Sequence, residues 1–267
     1  MNSDAATWLR LDWTDATPEH FRKLAEDSAP GLVVVDYILS GCRKPVAEDV
    51  IKALVSVYER LVTTAAMMQQ KRSIAARLLT WPVFVVLQEP RTRVSSETSL
   101  FRWTQWGRVA VGGTFDRMHA GHRLLLSAAR YFCREHLYVG ISGEALLVHK
   151  KGREQLQSFA ERAAAVECFI EQLGRLIDHL EPVELHILEL NDFAGPAATD
   201  PSMQALIVSE ETAAGAVAIN VRRREKQLSE LALVQVPVLW QTTLDGQRVK
   251  LSSSWLRQSP SFEIEPR

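Results

Sequence analysis

Two histidines follow a pair of glycines near the middle of the chain, in the segment VAVGGTFDRMHAGH of residues 109–122. A short apolar run enters Gly112-Gly113, and His119-x-Gly121-His122 follows just before an apolar-periodic segment. The pattern predicts a strand, a glycine turn and the start of a helix. Small residues let backbone N–H groups approach phosphate oxygens, and a helix N-terminus adds partial positive charge. The segment therefore predicts a triphosphate-binding site.

The two histidines fit phosphate binding better than metal binding. His119 and His122 are three residues apart, so they share one face near the start of a helix. A lone histidine is usually an ordinary core or surface residue, but a pair around Gly121 after a glycine turn is more specific. Zinc would need a third ligand, and the nearby His136 and His149 form no regular motif with the pair. We therefore predict no protein metal site.

The strands and helices that position these residues are predicted within residues 107–267. Short apolar runs alternate with helical periodicity, and Ser158 with Glu161 predicts a capping box. Such alternation predicts an α/β fold, a Rossmann-like parallel sheet that binds ligands at the carboxyl ends of its strands, where strand order reverses. The predicted strands cover residues 109–112, 137–141, 183–188, 205–209 and 231–239, and the helices cover 121–135, about 158–180 and a segment ending near 228.

Residues 1–106 predict a smaller N-terminal α/β extension. Thr17-Pro18-Glu19 is a typical helix start, apolar spacing predicts a helix over about 46–70, and residues 31–35 and 83–87 are β-rich. No glycine fingerprint and no titratable cluster occurs there, so a structural or partner-binding role is expected. Residues 91–106 break the periodicity and are interpreted as the junction, with the domain that carries the glycine turn and the histidine pair over 107–267.

Composition excludes several classes of protein. The net charge of −1 over 267 residues gives no bulk field towards nucleic acid. No apolar run approaches the roughly 18 residues of a membrane span, and the acidic N-terminus resembles no signal peptide. The three cysteines, Cys42, Cys133 and Cys168, form no metal or disulfide pattern, which indicates reduced thiols. We expect a soluble cytoplasmic protein that binds neither membranes nor nucleic acid.

The ordered set of motifs resembles a known family. Gly112-Gly113-Thr114-Phe115-Asp116 followed by His119-Ala120-Gly121-His122 resembles the T/HxGH nucleotidylyltransferase superfamily. Later segments narrow the resemblance to the eukaryotic-type phosphopantetheine adenylyltransferases, over about residues 108–258. These segments are Asp192 with Gly195-Pro196, Asp200-Pro201, Ser209-Glu210-Glu211, Ala218-Ile219-Asn220, Glu230-Leu231-Ala232-Leu233 and Leu251-Ser252-Ser253-Ser254.

The resemblance implies transfer of AMP from ATP to 4′-phosphopantetheine, giving dephospho-coenzyme A and pyrophosphate by direct in-line displacement. It implies that His122 stabilises the transition state, that His119 binds the triphosphate, and that Thr114 bridges both substrates. One of Lys150 and Lys151, otherwise a solvated pair, is implied to bind substrate phosphate, and Lys151 is the one we favour as catalytic.

The remaining residues are assigned by the same resemblance. The implied ATP contacts are Gly112, Gly113, Thr114, Phe115, His119, Gly121, His122, Glu210, Arg223, Ser252, Ser253, Ser254 and Arg257. The implied substrate contacts are Thr114, Lys150, Lys151, Asp192, Phe193, Ala194 and Ser209. For Asp192, Phe193 and Ala194 an ordinary turn is an equal alternative. Ala214 and Val221 stand where the family has arginines, so Arg222 or Arg224 are the possible replacements.

Cofactors and neighbouring steps follow from the same chemistry. Mg²⁺ is expected with ATP, held mainly through phosphates and water. The P-loop pattern is absent, so a separate dephospho-coenzyme A kinase is expected downstream. Two alternatives stay open: another T/HxGH enzyme, such as a nicotinamide mononucleotide adenylyltransferase or a cytidylyltransferase, and a non-catalytic nucleotide-binding scaffold.

Overall fold

The structure is a computed structural model that describes residues 8–12, 14, 16–26, 32–38, 47–68, 75, 78–80, 82–88, 104–177, 180–243 and 245–258. The chain divides into two compact units. The first comprises Met1–Phe101, His119–Arg123 and Leu239–Arg267, and the second comprises Arg102–Met118 and Leu124–Val238. The predicted domain boundary at residues 106/107 stays a prediction.

The first unit contains a three-stranded parallel sheet in the order β1-β2-β3, together with an antiparallel β9-β10 pair. Helix α2 buries a long apolar stripe, and the Tyr58 hydroxyl donates to the Val83 carbonyl oxygen at 3.0 Å. Its elements are β1 (Trp8–Asp12), α1 (Pro18–Glu26), β2 (Leu32–Ile38), α2 (Ala47–Met67), β3 (Val83–Gln88), β9 (Trp240–Thr242), β10 (Arg248–Lys250) and α7 (Ser253–Gln258).

The second unit is built on a five-stranded parallel sheet in the order β6-β5-β4-β7-β8. Its strands are β4 (Trp106–Gly113), β5 (Cys133–Ser142), β6 (Glu184–Leu190), β7 (Ala205–Ser209) and β8 (Ala232–Val236). Its helices are α4 (Glu144–Leu147), α5 (Phe159–Leu176) and α6 (Ala213–Glu225), with 3-10 turns at Arg153–Gln155, Gly195–Ala198 and Glu210–Thr212. Helix α3 (Ala120–Phe132) begins in the first unit and continues in the second.

Strand order reverses between β4 and β7 in this sheet. From β4 the chain moves outward through β5 to β6, and then returns to the other side of β4 for β7 and β8. Ligands in open parallel sheets bind at the carboxyl ends of the strands at such a reversal. Gly113, the last residue of β4, and Ser209, the last residue of β7, lie at this edge.

The predicted α/β class and parallel sheet are confirmed. The predicted strand at 205–209 matches β7, and Ser158 with Glu161 forms the predicted capping box of α5. The helix predicted to end at residue 135 ends at Phe132 and passes directly into β5. No helix in the described part of the chain is long and apolar enough to cross a membrane. Residues 91–103 of the predicted junction lie outside the described residues.

Candidate functional site

The turn that ends β4 is shaped by the absence of side chains at its glycines. A Cβ on Gly113 would lie 3.0 Å from Cζ of Phe115, a ring that is fully buried. Phe115 and Arg117 both have left-handed backbone conformations, with φ of 53° and 47°. Non-glycine residues rarely adopt this region, and each such residue costs on the order of 1–3 kcal/mol. The surrounding contacts must therefore hold this loop in place.

Thr114 and Lys150 meet at the end of β4. The Lys150 Nζ donates to the Thr114 Oγ1 at 2.5 Å. Lys150 is half-buried, whereas Lys151, the next residue, is exposed. An ammonium group beside a hydroxyl and a glycine turn presents cationic and neutral donors to one anionic group. This geometry favours Lys150 over Lys151 as the phosphate-binding lysine.

A buried arginine on α5 holds the loop that carries Thr114. The Arg162 Nη1 donates to the Thr114 and Ser142 carbonyl oxygens, each at 2.9 Å, and its Nε donates to the Gln157 carbonyl oxygen at 3.1 Å. Burial lowers the pKa of the guanidinium, while Asp116 and Glu189 act to raise it. Arg162 therefore joins the ends of β4 and β5 through backbone oxygens.

Three further hydrogen bonds support the same loop. The Ser142 hydroxyl donates to the Gly113 carbonyl oxygen at 3.3 Å. The Gln157 N–H donates to the buried Asp116 carboxylate at 2.9 Å, and the Arg117 N–H donates to the Gln157 Oε1 at 2.6 Å. The segment before α5 thus holds Asp116, which lies between the two left-handed residues, and Arg117, which is one of them.

The histidine pair in the first unit has a defined arrangement. The His119 and His122 rings are stacked, with centroids 3.9 Å apart and planes 23° apart. The Gly121 N–H donates to the His119 Nδ1 at 3.1 Å. A Cβ on Gly121 would lie 3.1 Å from the His119 Cε1. The glycine in His-x-Gly-His therefore leaves room for the first ring and also fixes its orientation.

Burial keeps His119 neutral. Loss of solvent lowers the His119 pKa well below its usual value, and the nearby charges of His122, Arg123 and Lys250 lower it further. Because Nδ1 accepts the Gly121 N–H, the neutral ring carries its proton on Nε2. His119 is thus a neutral hydrogen-bond donor rather than a cation.

The serine segment, also in the first unit, begins α7. The Ser252 hydroxyl accepts the Trp255 N–H at 3.2 Å, which is a helix-cap contact. The Arg257 Nη2 donates to the Ser254 hydroxyl at 3.0 Å, and Ser253 is buried. The predicted phosphate contacts of Ser252, Ser253, Ser254 and Arg257 stay predictions, in a segment whose side chains also serve the helix.

The Asp192 loop in the second unit is a turn that side-chain-to-backbone hydrogen bonds stabilise. The Asp192 carboxylate accepts the Ala194 and Gly195 N–H groups at 2.8 and 2.7 Å, and these bonds lower its pKa. Ala194 is buried, and Phe193 is 47% exposed beneath the Arg222 guanidinium, 4.3 Å from its ring centroid. Ala194 and Phe193 also line a small apolar pocket that reaches Gly112.

Two other predicted contacts lie at the end of β7. Ser209 forms a reciprocal cap with Thr212, whose hydroxyl accepts the Ser209 N–H at 3.2 Å. The Glu210 carboxylate accepts the Val238 N–H at 3.1 Å. Both residues lie at the carboxyl end of β7, where strand order reverses and a ligand is expected to bind. Their predicted ligand contacts stay predictions.

Arg223 and Asn220 serve the backbone of the second unit. Arg223 is fully buried and donates to the carbonyl oxygens of Ser229, Ala197 and Asp200 at 2.6–2.8 Å. The Asn220 side chain exchanges two hydrogen bonds with the Leu231 backbone. This location does not favour an ATP contact for Arg223, because its guanidinium also reaches the Met203 carbonyl oxygen at 3.4 Å and is thus committed to four carbonyl groups.

The structure brings together only part of the predicted set within each unit. Gly112, Gly113, Thr114, Phe115 and Lys150 lie at the β4 edge of the second unit, and His119, Gly121 and His122 form the pair of the first. Sequence reasoning missed Ser142, Gln157 and Arg162. The available signal for Arg162 is its place on the buried stripe of α5, in line with Val166, Phe169, Ile170 and Leu173.

Comparisons with known proteins agree with the motifs. The cytidylyltransferase-like family model matches residues 110–259. A phosphopantetheine adenylyltransferase of Saccharomyces cerevisiae is 36% identical over 157 residues, which are 59% of this chain and 50% of the yeast protein. One of Methanopyrus kandleri is 37% identical over 150 residues, which are 56% of this chain and 88% of the archaeal protein.

The extent of these matches differs between relatives. The chain spans about half the length of the yeast relatives that it matches, which include an uncharacterised Schizosaccharomyces pombe protein. A solved structure of unknown function from Archaeoglobus fulgidus aligns with a TM-score of 0.41 and 25% identity, over 48% of this chain and 88% of that one.

Proposed function

The chain belongs to the cytidylyltransferase-like family and within it to the phosphopantetheine adenylyltransferase family, and we propose that it transfers AMP from ATP to 4′-phosphopantetheine. The products are dephospho-coenzyme A and pyrophosphate. A phosphate oxygen of phosphopantetheine attacks the α-phosphorus of ATP, the bond to the β-phosphate breaks, and pyrophosphate leaves. The attacking phosphate is already ionised at neutral pH, so the protein supplies position and charge neutralisation rather than a strong base.

The contact between Lys150 and Thr114 is the observation that carries this proposal. It provides one positive charge and one hydroxyl at the end of β4, where strand order reverses. Charge-assisted hydrogen bonds to phosphate are roughly twice as strong as neutral ones. We assign Lys150 to the phosphate of the attacking substrate and Thr114 to the transferred phosphoryl group. Lys151, which the sequence favoured, has no assigned role in this proposal.

The histidines are proposed to act as donors to the polyphosphate of ATP. His119 offers a neutral Nε2–H, because burial disfavours its protonation and Gly121 occupies its Nδ1. The stacked His122 is proposed to donate to the α-phosphate as negative charge develops there. Loss of one such preorganised donor typically costs about 3 kcal/mol, which is roughly a hundredfold in turnover.

The apolar pocket supports phosphopantetheine as the acceptor. Leu190, Phe193, Pro196 and Ile219 line it, and it opens beside Gly112 at the strand edge. Pantetheine is a long, largely uncharged arm, and ligand pockets combine apolar walls with a few polar groups. In this proposal the Asp192 turn shapes the wall that Phe193 and Ala194 present, rather than contacting the arm through its carboxylate.

Mg²⁺ is proposed to enter with ATP. In the described part of the chain, three potential metal ligands lie close together: His136, Glu184 and His186. None of the proposed phosphate-binding residues belongs to this group. We therefore propose that Mg²⁺ is held through phosphate oxygens and water, where it would neutralise the polyphosphate. We also propose a cytoplasmic location and a separate kinase that phosphorylates dephospho-coenzyme A.

The decisive assay measures pyrophosphate release by purified protein from Mg-ATP. Release is expected only when 4′-phosphopantetheine is added. Parallel reactions with nicotinamide mononucleotide, or with CTP in place of ATP, test the alternative enzymes. Folded protein that releases no pyrophosphate with any acceptor would contradict the proposed activity and favour a binding scaffold.

A matched pair of variants tests the lysine assignment. Lys150→Ala is expected to lower turnover about a hundredfold, since it removes a charged donor to phosphate. Lys151→Ala removes the same charge from the adjacent, exposed position and is expected to stay within about threefold of the wild type. The reverse order would restore Lys151 as the phosphate-binding lysine.

A further inference from the structure

Two histidines and a glutamate converge on one face of the second unit, and none of them is a proposed phosphate-binding residue. His136 lies on β5, and Glu184 and His186 lie on β6. The parallel register pairs His136 with Glu184 and Tyr138 with His186, so all four side chains leave the same face. His136, Glu184 and His186 lie in the amino-terminal halves of the two strands, whereas Gly113 is the last residue of β4 and Thr114 follows it.

The three donor groups have the spacing of a metal site. The His136 Nδ1 lies 3.2 Å from the His186 Nε2 and 3.3 Å from the Glu184 Oε2. The His186 Nε2 lies 3.4 Å from the Glu184 Oε1. Donors about 2.0–2.1 Å from a tetrahedral Zn²⁺ are separated from one another by about 3.3 Å. The two imidazole nitrogens therefore have the separation of two ligands of one tetrahedral ion, and a different oxygen of the Glu184 carboxylate lies at a similar distance from each nitrogen.

The surroundings hold the rings in this arrangement. Tyr138 stacks on His186, with centroids 4.4 Å apart and planes 13° apart. The Arg108 Nη1 donates to the Tyr138 hydroxyl at 2.6 Å, which fixes the tyrosine ring in turn. The His136 and His186 side chains are 26% and 27% exposed, so an ion can reach them from solvent while much of each ring stays packed.

We propose that His136, Glu184 and His186 bind one borderline divalent transition-metal ion, with Zn²⁺ as the reference case. Two imidazole nitrogens and one carboxylate suit Zn²⁺, Ni²⁺, Cu²⁺ or Co²⁺ rather than the oxygen-preferring Mg²⁺ or Ca²⁺. The ion links β5 to β6, and its fourth position faces solvent and takes a water molecule. Sequence spacing does not reveal the site, because the strand register rather than a local motif brings the ligands together.

The test is a Co²⁺ titration of the full chain, followed by displacement with Zn²⁺. We expect one Co²⁺ per chain with the intense visible absorption of a tetrahedral site, and loss of that absorption as Zn²⁺ is added. His136→Gln, His186→Gln and Glu184→Gln should each weaken Co²⁺ binding by about tenfold or more. His149→Gln, which replaces an exposed histidine of the same unit, is the matched control and should bind as the wild type does.

A second measurement uses only wild-type protein. Zn²⁺ should protect His136 and His186 from acylation by diethylpyrocarbonate, as read by peptide mass spectrometry, while His149 continues to react. The proposal is overturned if binding does not saturate, if protection appears at His119 and His122 instead, or if the folded His136→Gln variant binds as the wild type does. None of these readouts depends on adenylyl transfer, so failure of the proposed function would leave them intact.

Discussion

Replacement of Arg162 by methionine should destabilise the second unit and disturb the loop that carries Thr114. Methionine keeps an unbranched side chain of similar length but removes the guanidinium. The carbonyl oxygens of Thr114, Ser142 and Gln157 then lose the donor that now lies at 2.9–3.1 Å. Arg162 is only 3% exposed, so water does not freely replace that donor.

The size of the effect follows from the orphaned carbonyl groups. A buried acceptor that loses its partner costs about 1–3 kcal/mol, and the lower figure applies if the loop relaxes towards solvent. Three carbonyls then give a loss of about 3 kcal/mol in the free energy of unfolding. With a urea m-value of about 3 kcal/mol per molar, the unfolding midpoint falls by about 1 M.

Urea titration of the wild type, Arg162→Met and two further variants measures this. Arg175→Met on the same helix is the control, because its side chain is 76% exposed and its ion pair with Glu171 contributes little. Arg162→Lys keeps the charge but cannot reach three carbonyls and should fall between the wild type and Arg162→Met. Equal midpoints for Arg162→Met and Arg175→Met would refute the assigned role of Arg162.

Three further predictions concern the glycines and the buried histidine. Gly121→Ala should lower turnover about tenfold or more, because the added Cβ displaces the His119 ring. It should not lower stability, because alanine favours the first turn of α3. Turnover equal to that of the wild type would contradict the steric role of Gly121. Burial lowers the pKa of His119 in the folded state. Below about pH 6.5 the unfolded state therefore binds a proton at this residue more readily than the folded state does. The free energy of unfolding should fall as the pH drops, by up to about 1.4 kcal/mol per pH unit. Urea midpoints at pH 7 and pH 5.5 should therefore differ less in His119→Asn than in the wild type, and the exposed His149→Asn is the control. Gly140→Ala should cost about 1–3 kcal/mol, since its Cβ would meet Leu190 Cδ1 at 2.6 Å, and adding Leu190→Ala should recover part of that loss in thermal unfolding.

The core of the sheet could be predicted because its signal is local. The apolar run before Gly112 and the run at 205–209 are buried strands, and Ser158 with Glu161 marks a helix start that the backbone bonds confirm. The end of α3 could not be predicted, since no glycine or proline separates it from β5. The β9-β10 pair was missed because each strand has three residues, although Asp245-Gly246 with φ of +80° at the glycine is a turn signal.

The candidate site was predicted where residue type alone decides the chemistry. In the second unit Gly113 ends β4 and Thr114 follows it, and in the first unit the His119 and His122 rings stack, while their predicted ligand contacts stay predictions. The choice between Lys150 and Lys151 could not be predicted, because the two residues are of the same type and only the structure shows that Lys150 contacts Thr114. Residue type alone does not distinguish Arg223 from a phosphate-binding arginine, yet backbone carbonyl groups surround its guanidinium.

The hydrogen bonds from Arg162 to the Thr114 loop also constrain the order of assembly. Thr114 leaves the ribosome well before Arg162, and Gln157, which holds the backbone of the left-handed residue Arg117, is also synthesised later than the loop. The loop can reach its final form only after β5 and α5 have been synthesised and have docked. Its amide protons should therefore gain protection from hydrogen exchange together with those of α5, rather than with those of β4.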